Sequence, residues 1–303
     1  MKTVCLSAVL GILALGGQAG AATWRVPGDC STIVAGIDSA AYGDTVLVAS
    51  GTYEEMDIVL HSGVCLRSET GEADGATIDA GGWGQVFRAA GVDGSTEIVG
   101  FTITGGYATE GGALYCSGSS LRVRNVLFAY NTGSPGGAVF LGSHARPTFT
   151  NCTFYGNGCV SGMPVYCDGG VLYAIEGAAP IFDGCLFSAN RADHWATVIC
   201  EDATPVFTCC NIYGNWEGMP AGAHPSDWDD AFADQLGIRG NLCEEPVFCN
   251  PPGGNFGLGP SSPCLPENNA CGRRIGAFGV ACSEETSATV RPTTWSAVKA
   301  LYR

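Results

Sequence analysis

The chain has 303 residues, with 45 glycines, 46% hydrophobic and 14% charged residues, and a net charge of −15. The apolar share can build a core, which excludes general disorder, and glycine without a three-residue period excludes a collagen. So acidic a chain has little basic surface to displace counterions from phosphates, which argues against a nucleic-acid partner.

Residues 1–21 read as a secretory signal: Lys2 is the positive start, Val4 to Leu15 the apolar core and Ala19-Gly20-Ala21 the cleavage site. That run is too short to span a bilayer and no later stretch is long enough, so no membrane span is expected. The expected destination is the medium, the cell surface or the periplasm. Removing Cys5 with the signal leaves an odd number of the sixteen cysteines. Export favours disulfides, and at least one thiol must stay free or pair outside the chain.

Residues 22–56 read as an N-terminal cap. Trp24-Arg25-Val26 is a strand candidate, and the spacing of Ile33, Ile37 and Ala40-Ala41 predicts a short amphipathic helix with Ser31 available as N-cap. Thr45 to Ala49 is a further strand. Residues 57–242 read as the coil itself. Its first part carries two- and three-residue apolar runs between Gly, Ser and Asp, which suits a coil with several sides better than a sandwich.

A repeat then becomes explicit. Pro147-Thr148-Phe149-Thr150-Asn151-Cys152-Thr153-Phe154-Tyr155-Gly156-Asn157 returns as Pro180 to Asn190 and as Pro205 to Asn215, with looser copies at Leu121 to Asn131 and Thr96 to Gly106. A period of this length marks a solenoid. Aligned, the copies give three apolar columns. Ile98, Val123, Phe149, Phe182 and Phe207 form the first, and Phe101, Val126, Cys152, Cys185 and Cys210 the second. Ile103, Phe128, Phe154, Phe187 and Ile212 form the third.

The three-residue step between the first two columns predicts a bend there. Thr102, Leu127, Thr153, Leu186 and Asn211 fall at outward positions by the period-two rule. Asn131, Asn157, Asn190 and Asn215 form a further column, read as an asparagine ladder at a turn where the residue tolerates left-handed backbone. Glycine pairs open the strands near Ala113, Ala138 and Val171. The ladder spacings are 26, 33 and 25 residues, and the excess lies in Cys159 to Asp168. Such insertions map to one face, often the binding face. Cys159 with Cys167 is the expected bridge. Residues 243–282 hold five cysteines and read as a Cys-rich C-terminal cap, and 283–303 as a linker and short basic tail.

The P-x-F-T-N-C-T-F-x-G-N rungs, the G-G-A-V-F strands and the Gly43 to Val48 segment resemble the right-handed parallel β-helix proteins of the pectin-lyase-like superfamily, in particular bacterial secreted β-helix repeat proteins. The resemblance covers about residues 24–282. It implies an all-β fold, a single-stranded right-handed parallel β-helix solenoid capped at both ends, and it does not fix an activity.

Lyases of that superfamily hold calcium on carboxylates and use an Arg or Lys base. Here Arg122 and Arg124 share an outward face with no recurring carboxylate cluster. Asp168, Asp183 and Asp193, with His194, are the candidates for glycoside or polysaccharide cleavage, although Asp183 occupies an outward column. Tyr155 and Tyr213 share another outward column and, with Trp195, are the candidates for stacking on sugar rings. Asp227, Asp229 and Asp230 offer hard oxygens suited to calcium, without the pattern of an EF-hand loop.

Two functions follow from these residues. One is a binding or structural role for a secreted or surface protein, contacting polysaccharide or another cell-surface component, and the missing catalytic cluster favours it. The alternative is a polysaccharide lyase or glycoside hydrolase.

Overall fold

The computed structural model describes residues 20–158, 169–194, 197–217, 224–225, 227–228 and 230–283. The expected signal segment, the excursion with Cys159, Cys167 and Asp168, and Trp195, Asp229 and the basic tail lie outside the described residues.

The fold is an all-β parallel solenoid. Three sheets of eight, seven and six strands run along it. One turn of the coil visits them in order, as Glu97–Val99, Phe101–Thr104, Leu114–Ser117 and then Arg122–Arg124 back in the first sheet. Every pairing within the three sheets is parallel and in register; Val123 sits between Ile98 and Phe149, and Phe128 between Ile103 and Phe154.

The three apolar columns point inward and are buried. Phe149, Phe182 and Phe207 stack with centroids 5.0 Å apart, and Phe128, Phe154 and Phe187 stack at 4.8 and 4.7 Å. Identical rings at identical heights form continuous stacks because the rungs repeat at sheet spacing.

The bend between the first two columns is made by residues in left-handed backbone, Asn125, Asn151, Gly184 and Cys209, with φ of 52, 50, 65 and 51°. The glycine pairs act as expected: Gly111, Gly136 and Gly169, the first of each pair, have φ of 62, 73 and 69°. The ladder asparagines differ from expectation. The left-handed residue is the one before each of them (Tyr130, Gly156, Ala189, Gly214), which aims the asparagine side chain into the coil.

The four amides are fully buried and bond in series. Asn131 donates to Asn157 Oδ1 at 3.1 Å, Asn157 to Asn190 at 3.1 Å, and Asn190 to Asn215 at 2.8 Å. The Oδ1 of Asn157, Asn190 and Asn215 each also accepts the backbone N–H of the preceding ladder asparagine, as at Asn157 N to Asn190 Oδ1, 2.9 Å, and Asn131 Oδ1 accepts Gly106 N at 3.0 Å.

Near the N-terminus the helix Ile33–Ser39 packs on the first strands, with Ile33 and Ile37 in the same core as Val26, Val46 and Ile58. Thr32, not Ser31, is its N-cap, accepting from Ala35 N at 3.1 Å. The Glu55 carboxylate accepts the next two orphan amides, Ile33 N at 2.7 Å and Val34 N at 2.9 Å. Gly36 is required by close approach, since a Cβ there would lie 2.8 Å from Val46 Cγ1.

At the other end, Trp228 and Phe232 pack on Phe207, the last ring of its stack, at 5.5 and 5.3 Å. Residues 243–282, expected as an end cap, lie along the outer face of the second sheet. Phe248, Phe256, Ile275 and Ala277 cover Leu127, Ala129, Tyr155 and Leu186. This strap is fixed by Ala277 N to Thr153 Oγ1 at 2.9 Å, by the Arg273–Asp183 pair and by the Cys209–Cys271 disulfide. A second disulfide joins Cys249 to Cys282.

Candidate binding site

The outer faces of the three sheets differ in what they leave for a partner. The second sheet is covered by the strap, which overturns the expectation that Tyr155 looks into solvent. Tyr155 is 4% exposed and meets Phe248 and Phe256 edge to face at 5.4 and 5.3 Å. The period-two rule gave its direction correctly, but an outward side chain is exposed only if nothing lies over it. Tyr213, in the same column across Ser188, is half-buried.

The third sheet carries an outward column of Val59, Arg88, Tyr115, Phe140, Tyr173 and Ile199. Its rings stack on one another, Tyr115 on Phe140 at 5.4 Å and Phe140 on Tyr173 at 6.0 Å, with the Arg88 guanidinium 4.9 Å from the Tyr115 centroid. Ring faces consumed this way stabilise the sheet and are not available to a sugar.

The outer face of the first sheet is mixed, with Ile181 44% exposed in register with Thr148 and Val206. Arg122 and Arg124 face outward as expected, and both pair with Glu97, at 3.7 and 2.7 Å.

Among the described residues, the catalytic candidates Asp183 and Asp193 lie apart. Asp183 sits on the first sheet and its carboxylate accepts from Arg273 Nη1 at 3.0 Å and from Nη2. Asp193 lies past the strand Leu186–Ser188, at the turn leading to the third sheet, so the whole width of the second sheet separates it from Asp183. His194 Nδ1 is 3.7 Å from Glu217 Oε1.

Asp227 terminates the ladder. Its carboxylate accepts from Asn215 N and Nδ2, both at 2.9 Å, and from Gly214 N at 3.2 Å. Those donors claim the oxygens offered to calcium. Asp230 begins a short 3-10 turn, Asp230–Gln235. Among the described residues, no group of three or more His, Cys, Asp or Glu side chains is placed to hold a metal ion.

The site that the sequence reading missed is the edge between the second and third sheets. Tyr107, Thr132, Gly158, Arg191 and Trp216 occupy one register position on successive turns there. Tyr107 N bonds Gly84 O at 2.8 Å, which places the turn carrying Trp83 one step before it. Trp83, Tyr107 and Trp216 are 83%, 41% and 38% exposed. At sheet spacing, Tyr107 and Trp216 stand roughly 19 Å apart along this edge. The signal was present in the sequence, because Thr132, Gly158, Arg191 and Trp216 each follow a ladder asparagine directly.

Beside Trp83 lies an open cavity of about 350 Å³, lined also by Glu54, Glu55, Met56, Asp79, Ala80 and Gly81. Gly81 and Gly82 have φ of 62 and 79°, a left-handed pair that turns the chain sharply just before Trp83.

No family model matches the chain, and no solved structure matches it. A part of 109 residues, 36% of the chain, is 28% identical to the metabotropic glutamate receptor-like protein Q of Dictyostelium discoideum. The chain spans 8% of that protein's length.

Proposed function

We propose that the protein is exported, stands in the medium or on a cell surface, and binds polysaccharide along the edge between its second and third sheets. The observation that carries this reading is the exposure of Trp83, Tyr107 and Trp216 on that edge. Large aromatics bared on a rigid scaffold offer stacking area at low entropic cost. The two disulfides and the likeness to part of a receptor-like protein support an extracellular setting. Within the same reading, the coil is right-handed and of the pectin-lyase-like kind found in bacterial secreted proteins, on the strength of its rung motif.

Immobilised neutral, acidic and amine-bearing polysaccharides test the reading directly. The mature protein is expected to be retained by at least one of them. Tyr107→Ala and Trp216→Ala should each weaken retention by about tenfold, the worth of one stacking contact. Retention by none of them, or variants that bind like the wild type, would overturn it. Release of new reducing ends or unsaturated products would replace it with a lyase or hydrolase, and Asp183→Ala should leave any such turnover untouched because its carboxylate is held by Arg273.

A further inference from the structure

The cavity beside Trp83 has a chemistry of its own. It is lined by the Trp83 indole, 83% exposed, by Met56, 41% exposed, by Ala80 and Gly81, and by three carboxylates, Glu54, Glu55 and Asp79. Two of these are already oriented: Glu55 accepts the Ile33 and Val34 amides, and Asp79 Oδ1 accepts Gly81 N at 2.8 Å. Their remaining lone pairs, with those of Glu54, make the lining negative, and the indole face is itself attractive to cations.

An anionic ligand is repelled by this arrangement. A bare divalent cation fits no better, because no metal-holding group of side chains exists among the described residues and an indole is no ligand for a hard ion. An organic ammonium on a flat apolar body satisfies both groups at once: the ring lies on the indole and the charged amine meets the carboxylates. The lining residues lie in, or at the start of, turns between the second and third sheets, with Trp83 one turn before Tyr107, so an occupant is within reach of a glycan lying along that edge.

We infer that the Trp83 cavity is a subsite for an amine-bearing sugar, a glucosamine unit with a free, protonated 2-amino group. This rests on the polysaccharide reading above and narrows its ligand class.

The test is calorimetric titration of the mature protein with a glucosamine oligomer, its fully N-acetylated counterpart and a cellulose oligomer of the same length. Binding of the free-amine oligomer is expected to be at least tenfold tighter than either of the others. Trp83→Ala should abolish that margin. Glu54→Gln and Asp79→Asn should remove the preference for the amine while leaving the N-acetylated oligomer bound as before. Asp79→Asn keeps the oxygen that accepts Gly81 N, and an unchanged circular dichroism spectrum establishes that each variant is folded.

Equal affinity for free and N-acetylated oligomers would overturn the inference, as would an unaltered margin in Trp83→Ala. Tighter binding of a lysine-rich peptide than of the glucosamine oligomer would overturn the choice of a sugar. If Tyr107→Ala and Trp216→Ala lose glycan while Trp83→Ala does not, the edge stands and this subsite falls. If no oligomer binds the wild type, this subsite falls, and the edge is judged separately by retention on the immobilised polysaccharides.

Discussion

Asn190 has neighbours on both sides in the ladder and shows what each member does. Its Oδ1 takes the amide of Asn157, and its Nδ2 gives hydrogen bonds to Asn215 Oδ1 at 2.8 Å and Phe154 O at 3.0 Å. Replacing it with alanine strands a buried donor and a buried acceptor. The expected loss is about 3 kcal/mol, measured as a lowered urea midpoint with an unchanged slope.

Asp44 gives a pH-dependent counterpart. Its carboxylate accepts Ala41 N at 2.9 Å and Ala22 N at 2.7 Å, with Trp24 Nε1 at 3.2 Å, and these donors hold its pKa below the ordinary 3.8. A carboxylate with a lowered folded value contributes fully above its unfolded value and loses that contribution as pH falls. Asp44→Asn is therefore expected to destabilise at neutral pH, with the difference from wild type shrinking below about pH 4. A difference constant from pH 7 to pH 2 would contradict this.

The ladder asparagines were legible in the sequence because they recur at one place in each copy. The role of Asp227 at the end of the ladder was not, since a residue used once leaves no pattern.

Among the elements, the ring stacks carry the coil and the strap ties it together. Phe154 lies between Phe128 and Phe187 and is fully buried, so Phe154→Ala should cost about 4 kcal/mol in equilibrium unfolding. The strap contacts turns far apart in the sequence: Arg274 Nη2 reaches Glu72 and Asn125, Arg273 reaches Asp183, and Asn211 reaches Glu244 O. Its disulfide closes a separation of 62 residues, for which chain entropy alone gives about 4 kcal/mol. Replacing Cys271 by serine is expected to lower stability by a few kcal/mol on that basis and to loosen the strap. Tyr155 should then become open to iodination, while Tyr115 iodinates as in the wild type. A Tyr155 still protected would show that packing alone holds the strap.

Why the sequence revealed the rungs but hid the strap has a simple physical cause. Inward columns repeat because every rung meets the same neighbour. The strap meets a different residue at each turn, so Phe248, Phe256 and Ile275 carry no period to read. The same difference explains the error at Tyr155.

At the scale of the whole molecule, a solenoid divides its surface into long faces and edges, and here only some of that surface is open. The strap closes one face, a self-stacked aromatic column occupies another, and Arg122, Arg124 and Glu97 neutralise part of the third. The edge bearing the exposed Trp83, Tyr107 and Trp216 is the surface proposed above for recognition. It is also where the sequence departs furthest from its period, after Gly158 and again after Glu217.

Hydroxyl-radical footprinting of the protein, with and without a retained polysaccharide, tests that proposal most directly. The expected result is protection of Trp83, Tyr107 and Trp216 on binding, with Tyr155 unreactive in both states. Protection confined to Tyr115 and Tyr173 on the third sheet, with the edge residues equally reactive throughout, would contradict it.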